Sequence, residues 1–427
     1  MSIEFLYEKY LQHRLVSTDS RKVLPGSVFF GLRGENFNGN LYARQALDAG
    51  ATWAVVDDPA YAGQERTTLV DDSLLCLQNL AKFHRVNLKI PVIGLTGSNG
   101  KTTSKELVNG VLSKKYKTVA TRGNLNNHIG VPLTILSIHD DAEIAIVEMG
   151  ANHVGEIALL SSIARPTHGF ITNIGRAHIG TFGGFENIIR GKTELYQFLL
   201  DTKGIVFINS ANPILSAMIH RFENPILYPG KTDYINIRLT KESPFLEVQS
   251  DDGPIISTKL SGVYNFENIA VALCVGKFFG VSPELCAAAV SEYVPSNMRS
   301  QLIEKGSNTI ILDAYNANPS SMEAALRNLA TAGTKNKVAI LGDMYELGED
   351  TVSEHQRIGH LIQELDIDQT FVCGPLMMDA ANVNPRITHF ETKQELIRYL
   401  SAHPFDQKLI LIKASRGMGL ETILEHL

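Results

Sequence analysis

Cysteine is scarce in this chain and never paired by spacing: Cys76, Cys274, Cys286 and Cys373 stand far apart in 427 residues, with no CxxC. That pattern argues against a disulfide framework and reads as buried thiols in a reducing compartment. A basic excess is missing as well. The formal charge of -6 leaves no electrostatic footprint for nucleic acid, so an anionic ligand must be held by a local site. Long apolar runs are absent: the longest, "IAVALCVGKFFGV", is too short for a bilayer and is interrupted by Lys277. The N-terminal "MSIEFLYEKYLQHRLVS" carries charges where a leader would be apolar. The expectation is a soluble cytoplasmic protein, a monomer, with small-molecule partners and no nucleic acid or membrane. No internal repeat, low-complexity tract or long linker occurs.

What is present is ordinary globular composition, 44% hydrophobic and 20% charged, in a chain long enough for about three domains of ~150 residues. "SVFFGL", "TWAVVDD" and "RTTLVDD" read as strands, with helices in "NGNLYARQALDAG" and "SLLCLQNLAKFHRV". These form a small α/β unit, residues 1–89. From 90 to 295, "PVIGLTG", "KTVATRG", "AEIAIVEMGA", "HGFITNIG" and "GIVFINSAN" alternate with amphipathic segments, which argues a mostly parallel sheet with crossover helices. "YINIRLTKES" and "PFLEVQSDDGPIISTKL" then read as antiparallel strands around an Asp-Gly turn. A third alternating set fills 296–427, and Asp313, Asp343 and Ser415 stand at carboxyl ends of its strands. That edge of an open parallel sheet is where ligands bind.

Chemistry is concentrated in "GLTGSNGKTTSKE", behind the apolar run "IPVIGL". A strand entering a glycine-rich turn and then a helix puts backbone N–H groups and the positive helix end around an anion. Gly97, Ser98, Asn99, Gly100 and Thr103 would shape the turn, Lys101 would clamp phosphates and Thr102 would ligate magnesium. A glycine turn opening an ordinary helix is the plainer alternative. The usual spacing is not met, since the position five before Gly100-Lys101 is Leu95.

The shape "TGSNGKTT" resembles the Mur ligase family, ATP-dependent amide-forming enzymes. That resemblance implies three α/β domains: a small N-terminal UDP-binding domain, a central ATPase-like parallel-sheet domain and a C-terminal Rossmann-like domain. It implies a metal set of Glu148 in "IAIVEMGANHVGEI", His178 in "FITNIGRAHIGTFG" and a carbamylated Lys192 in "NIIRGKTEL", beside Thr102. An unmodified lysine 4 Å from a divalent ion would cost roughly 8 kcal/mol at an effective dielectric near 20, and carbamylation reverses the sign. Taken singly, Glu148 reads equally as a solvated strand end, His178 as a core histidine and Lys192 as a helix-surface charge.

Further resemblances run to the end of the chain. "LSGVYNFENIAVAL" implies adenine contacts from Asn265 and Asn268, "NMRSQL" an Arg299 approaching the ATP phosphates, and "DAYNANPSSMEAAL" an Asp313 at the nucleotide. "GNLNNHIGVPLTIL" implies substrate contacts from Asn124 and Asn127, and "KASRGMGLE" carries Ser415. With "LGDMYELG" and "EHQRIG", these resemble the branch that joins D-alanyl-D-alanine to UDP-N-acetylmuramoyl-tripeptide. The dipeptide would then meet the third domain, with Asn316, Asn318 and Ser415 as candidates. "STDSRKVLPGSVFFGLRGENFNGN" implies that Ser20 and Arg21 lie near the UDP end. Its Asn38-Gly39-Asn40-Leu41 departs from the family's Asp-Gly-His-aromatic pattern. The implied cofactors are ATP and Mg2+, and the implied catalytic residues are Lys101, Lys192, His178 and Arg299. Alternatives are the sister ligase adding the third residue, whose Asp-Asn-Pro-Arg signature is absent, a folylpolyglutamate synthase, and a nucleotide-binding regulator that has lost ligation.

Overall fold

The structure is a computed structural model describing residues 2–63, 65–333 and 336–427. Each of the three stretches of alternating pattern builds its own sheet. The first is four parallel strands in the order Val16–Ser17, Val28–Phe30, Trp53–Val56, Thr67–Leu69. The second is six parallel strands, in the order Ile226–Tyr228, Ile205–Asn209, His168–Ile171, Val92–Thr96, Ile144–Glu148, Thr118–Ala120. The third runs Gln301–Lys305, Asn308–Leu312, Leu409–Lys413, Lys337–Gly342, Gln369–Cys373, Ile387–Phe390. It is parallel except for its first strand, which turns back on the second through Gly306.

Burial on both faces explains why the central strands read as continuous apolar runs. Val92–Thr96 is buried at every position, and so is Ile144–Glu148. The apolar segment that was too short to span a bilayer is the core helix Asn265–Phe278, buried without a break from Asn268 to Gly276. A helix enclosed all round needs no amphipathic stripe. Among the described residues, no helix is long and apolar enough to cross a membrane. The four cysteines are free, and all but Cys76 are fully buried. The expected antiparallel segment is the meander Ile237–Lys241, Glu247–Ser250, Ile255–Ser257.

Several strands do not stand out in the pattern, among them the two-residue strands Val16–Ser17, Arg33–Gly34 and Phe37–Asn38. Ile226–Tyr228 is a three-residue edge strand, and Gln301–Lys305 is an edge strand with mostly half-buried side chains. All of these are too short or too exposed for alternation to mark them.

Register places the chemistry. Leu95 pairs with Glu148 and Thr96 with Ile171, so the loop leaving Val92–Thr96 rises between Glu148 on one side and Thr172 and Asn173 on the other. One apolar cluster joins the sheets, running from Leu6 and Leu77 through Val131 and Val147 to Leu341 and Leu411. A buried guanidinium reinforces the junction between the first unit and the second. Arg85, on helix Ser73–Asn87, donates to the carbonyls of Ala164 (2.9 Å), Leu88 (3.0 Å) and Arg165 (3.0 Å). Burial lowers its pKa to about 10, with Arg165 adding repulsion.

Arg85→Met leaves those three carbonyls without this donor, and an unmade buried hydrogen bond costs on the order of 1–3 kcal/mol. A clear drop in the urea midpoint is expected with nucleotide affinity kept; an unchanged midpoint would show that the clip contributes nothing.

Candidate active site

The phosphate-type loop takes its shape from two glycines. Gly97 has φ +146°, and a Cβ there would lie 2.0 Å from Thr172 Oγ1; Gly100 has φ +76°, and a Cβ would lie 2.4 Å from Asn268 Oδ1. Neither position tolerates a side chain without movement. The neighbouring strand end fastens the turn: Ser98 N donates to Asn173 O (2.9 Å), Asn99 N to Asn173 Oδ1 (3.0 Å) and Thr172 Oγ1 to Asn99 O (2.7 Å). Helix Lys101–Leu112 starts directly after Gly100 with no side-chain cap, so its first-turn N–H groups and positive dipole end are free to meet an anion.

Lys101 curls back over the loop, donating to Gly97 O (2.7 Å) and Ser98 O (3.1 Å). Burial, with added repulsion from Arg299, brings its ammonium down to about 8 against the pull of Glu148. Glu148 is only 1% exposed. Its carboxylate accepts from Thr102 Oγ1 (3.1 and 3.2 Å) and Asn126 Nδ2 (2.8 Å), and Lys105 Nζ lies 3.6 Å away. The bland reading of Glu148 as a solvated strand end is therefore wrong.

These groups floor a cavity of about 810 Å³ between the central and third units. Ser98 to Thr103, Asn124 and Asn127, Glu148, His178, Asn265 and Asn268 reach it from the central unit. Arg299, Asp313, Asn316 and Asn318 reach it from the chain beyond residue 295. Asn268 and Asn265 are buried and linked: Asn268 Nδ2 donates to Asn265 Oδ1 (2.9 Å), and Ser104 Oγ donates to Asn268 Oδ1 (2.8 Å). Asp313 receives Lys413 Nζ (2.6 Å) and Ser300 N (3.1 Å). Asn318 caps helix Pro319–Thr331 in a capping box and donates to Asn99 Oδ1 (2.8 Å), fastening the third unit to the loop. Its side chain is thereby committed to positioning.

Other expected site residues lie elsewhere or are otherwise engaged. Gly97 sits beneath the cavity floor rather than on it. Ser20 and Arg21 remain on the first unit outside the cavity, and Arg21 is 82% exposed and paired with Asp19 through Nε and Nη2 at 2.9 Å each. Ser415 is buried beside the cavity, its Oγ accepting from Tyr345 N (2.9 Å), so it orders strand ends instead of facing a ligand.

Of the expected metal set, Thr102 and Glu148 are in contact at 3.1 Å, and His178 lines the same cavity. Among the described residues, no group of three His, Cys, Asp or Glu is placed to hold a metal. His178 Nδ1 is hydrogen-bonded to Glu346 Oε2 of the third unit. Burial pulls this imidazole below its ordinary value, Lys101 and Lys192 adding to the effect and Glu346 opposing it. This hydrogen bond engages Nδ1 of the His178 ring. Lys192 is not a surface charge either. It is 1% exposed, donates to Ala151 O (2.9 Å) and sits 5.1 Å over the Phe182 ring. Burial and the nearby charge of Lys101 hold its ammonium well below the usual lysine range.

Sequence reasoning missed several groups. Lys105 sits one helical turn beyond Lys101 on the same face, a spacing that could have pointed to it. Lys413 and Tyr315 lie inside motifs that were read, "KASR" and "DAYNANP", without being chosen. Asn126, Tyr264 and Glu267 likewise lie inside motifs that were read, "GNLNNHIGVPLTIL" and "LSGVYNFENIAVAL", and all three line the cavity.

Comparison with known proteins covers almost the whole chain. Residues 13–85 match the family model described as Mur ligase family, catalytic domain; 95–276 match Mur ligase middle domain; 298–416 match Mur ligase, glutamate ligase domain. The UDP-N-acetylmuramoyl-tripeptide--D-alanyl-D-alanine ligase of Bacillus subtilis (strain 168) is 36% identical over 99% of this chain and 94% of its own. The enzyme of that name from Escherichia coli (strain K12) is 31% identical over 96% and 93%. Among solved structures, MurF from Acinetobacter baumannii superposes with a TM-score of 0.87 at 31% identity, over 96% and 92% of the two chains. MurF ligase from Thermotoga maritima in complex with ADP gives 0.85 at 28%, over 97% of each.

The state of Lys101 sets a pH dependence. A polyphosphate prefers the protonated amine, so affinity for ATP is complete below the free group's value of about 8. Above it, affinity falls up to about tenfold per pH unit until the complexed group itself titrates. Calorimetric titration from pH 7 to 9.5 should show this fall and Lys101→Met should abolish it; a flat wild-type profile would contradict the assignment.

Proposed function

This chain belongs to the Mur ligase family, and from that premise we propose that it joins D-alanyl-D-alanine to UDP-N-acetylmuramoyl-tripeptide at the expense of ATP. The product is the UDP-linked pentapeptide, with ADP and phosphate released. The single observation that supports this most is the shared cavity, with an uncapped phosphate-type loop on its floor and the third unit hydrogen-bonded across it. Units 1–89, 90–295 and 296–427 would then serve as the UDP, ATP and dipeptide domains.

The chemistry follows from charge and position. The tripeptide carboxylate takes the γ-phosphoryl group of ATP, breaking its bond to the β-phosphate oxygen and forming an acyl phosphate. The dipeptide amine then attacks that carbonyl, phosphate departs with the bonding pair, and the amine loses a proton. Phosphoryl transfer asks mainly for positioning and neutralisation. Lys101, the first-turn amides of its helix and Arg299 hold the phosphates. Asp313, oriented by Lys413, faces the ribose, and Asn265 and Asn268 border the adenine. Asn124 and Asn127 contact the tripeptide substrate, while Asn316 meets the dipeptide on the third unit's wall. Ser20 and Arg21 serve the distant UDP end.

Magnesium suits the donors present. The Thr102 hydroxyl and Glu148 carboxylate are adjacent hard oxygens, the chemistry this ion takes, and phosphates and water complete its shell. Bound there it supplies charge neutralisation at the phosphates. Lys192 is suited to carbamylation: burial disfavours its ammonium form, the amine can add carbon dioxide with loss of one proton, and its carbonyl partner Ala151 belongs to the cavity wall. Every wall of the cavity comes from one chain, so a monomer suffices. The enzyme would act in the cytoplasm, supplying peptidoglycan precursors and through them cell shape and division.

Incubation with ATP, magnesium, D-alanyl-D-alanine and the UDP-muramoyl tripeptide ending in meso-diaminopimelate or in lysine, followed by phosphate release and product mass, is the direct test. Pentapeptide from at least one tripeptide is expected, and none from either would overturn the reading. Lys192→Ala should lose most activity and recover part of it with added formate or acetate. Full activity without rescue would remove Lys192 from the reaction.

A further inference from the structure

Arg299 occupies an unusual backbone. Asn297, Met298 and Ser300 around it have φ of +57°, +57° and +50°, the left-handed region that costs an ordinary residue of order 1 kcal/mol or more. Three such residues at one unit junction hold the arginine between them in a defined direction. Tyr315 N donates to Met298 O (3.2 Å) and Ser300 N to Asp313 Oδ1 (3.1 Å), so the junction is tied to the chain segment that carries the aromatic ring.

The guanidinium itself is only half satisfied. Its carbon lies 3.7 Å from the centre of the Tyr315 ring, and Nε is buried without a hydrogen-bond partner among the described residues. Asp313, which lines the same cavity, is taken by Lys413 at 2.6 Å and does not pair with Arg299. A carboxylate in place of the ring would orient the arginine too, but it would cancel the charge and compete with an incoming anion. An aromatic face attracts the cation through its quadrupole and leaves the charge and the N–H edge available. Both Arg299 and Tyr315 line the cavity opposite the Lys101 loop.

We propose that Tyr315 is a positioning residue for the reaction: its ring holds Arg299 oriented and unneutralised at the unit junction, aimed at the terminal phosphate of the nucleotide. This rests on the reading of the cavity as a nucleotide site. The inference concerns the γ-phosphate alone, because the α- and β-phosphates fall to the loop and the Lys101 helix. Loss of the ring therefore acts on ATP and spares ADP, which a merely structural role would not do.

The test is the ratio of dissociation constants for a non-hydrolysable ATP analogue and ADP, measured with the full chain. Tyr315→Leu should weaken the analogue by about tenfold with ADP nearly unchanged, the size expected of a partly desolvated cation–ring contact. Tyr315→Phe, which keeps the ring, should restore the wild-type ratio. Tyr315→Met provides a second ring-free side chain should the leucine variant fail to fold. Equal weakening of both nucleotides, an unchanged ratio in ring-free variants, or failure of phenylalanine to restore it would each overturn the proposal. If neither nucleotide binds the wild-type chain, the nucleotide reading falls first, and that result is distinct from the others.

Discussion

A carboxylate with almost no exposure has to be answered by its surroundings, and much of this site can be derived from that demand on Glu148. Removing a carboxylate from water costs several kcal/mol even after relaxation, so its partners are obligatory. They come from different elements: Thr102 and Lys105 from the helix after the loop and Asn126 from the segment after Thr118–Ala120, while Thr121 Oγ1 accepts the backbone N–H of Glu148 at 3.0 Å. Meeting that one charge fixes the roll of helix Lys101–Leu112 about its axis. It thereby sets where Lys101 and the uncapped amides point. Lys105 also shows how this carboxylate can be buried, since a cation from the protein stands near enough to balance it.

The second constraint is contact between units. Gly180 packs so closely on the third unit that a Cβ there would lie 2.5 Å from Gly348 N, and Gly180 N donates to Glu346 O at 3.1 Å. His178 pairs with the Glu346 side chain, Arg176 with Glu354, and Asn318 with Asn99. Of these residues, His178, Asn318 and Asn99 line the cavity. The third unit is thus held against the loop by short polar contacts that water can replace, while the larger apolar cluster lies behind them. Such an arrangement favours a mobile closure over a rigid one, because each polar contact is individually worth little.

Elements with strong local signals were legible from sequence, and those made by tertiary packing were not. The phosphate-type loop, the buried central strands and the antiparallel meander follow from glycine placement, apolar runs and an Asp-Gly turn. Glu148 could be found because motif and strand end coincide, and Asn268 because its motif opens a helix. His178 shows a partner that sequence cannot reveal: a histidine following a strand end is equally available to a metal or to a carboxylate arriving from a distant unit, and Glu346 lies 168 residues away in sequence. Ser415 is a similar case. Its hydroxyl satisfies Tyr345 N between neighbouring strand ends, a need that exists only once the sheet is assembled. Lys192 carried no hint of burial, since its helix shows ordinary amphipathic spacing and only packing against Phe182 and Ala151 encloses the amine.

The irregular Asn38-Gly39-Asn40-Leu41 has a structural account of the same kind. Asn40 is fully buried, and its amide donates to Asn38 Oδ1 and to Asp57 Oδ1 at 2.8 Å each, while its oxygen accepts from Asp57 N at 2.9 Å. Arg33 reaches the same Asp57 oxygen at 2.7 Å, and Ser73 N takes the other at 3.1 Å. One asparagine therefore links the hairpin Arg33–Asn38, the end of strand Trp53–Val56 and, through Asp57, the start of helix Ser73–Asn87. An imidazole has one nitrogen on each edge and no carbonyl oxygen, so it cannot reproduce two amide donations and an oxygen acceptance from a single planar group. The departure from the family pattern is thus a folded network that uses its own residue. Beside this network Phe37 and Tyr42 stack 6.1 Å apart with both rings exposed.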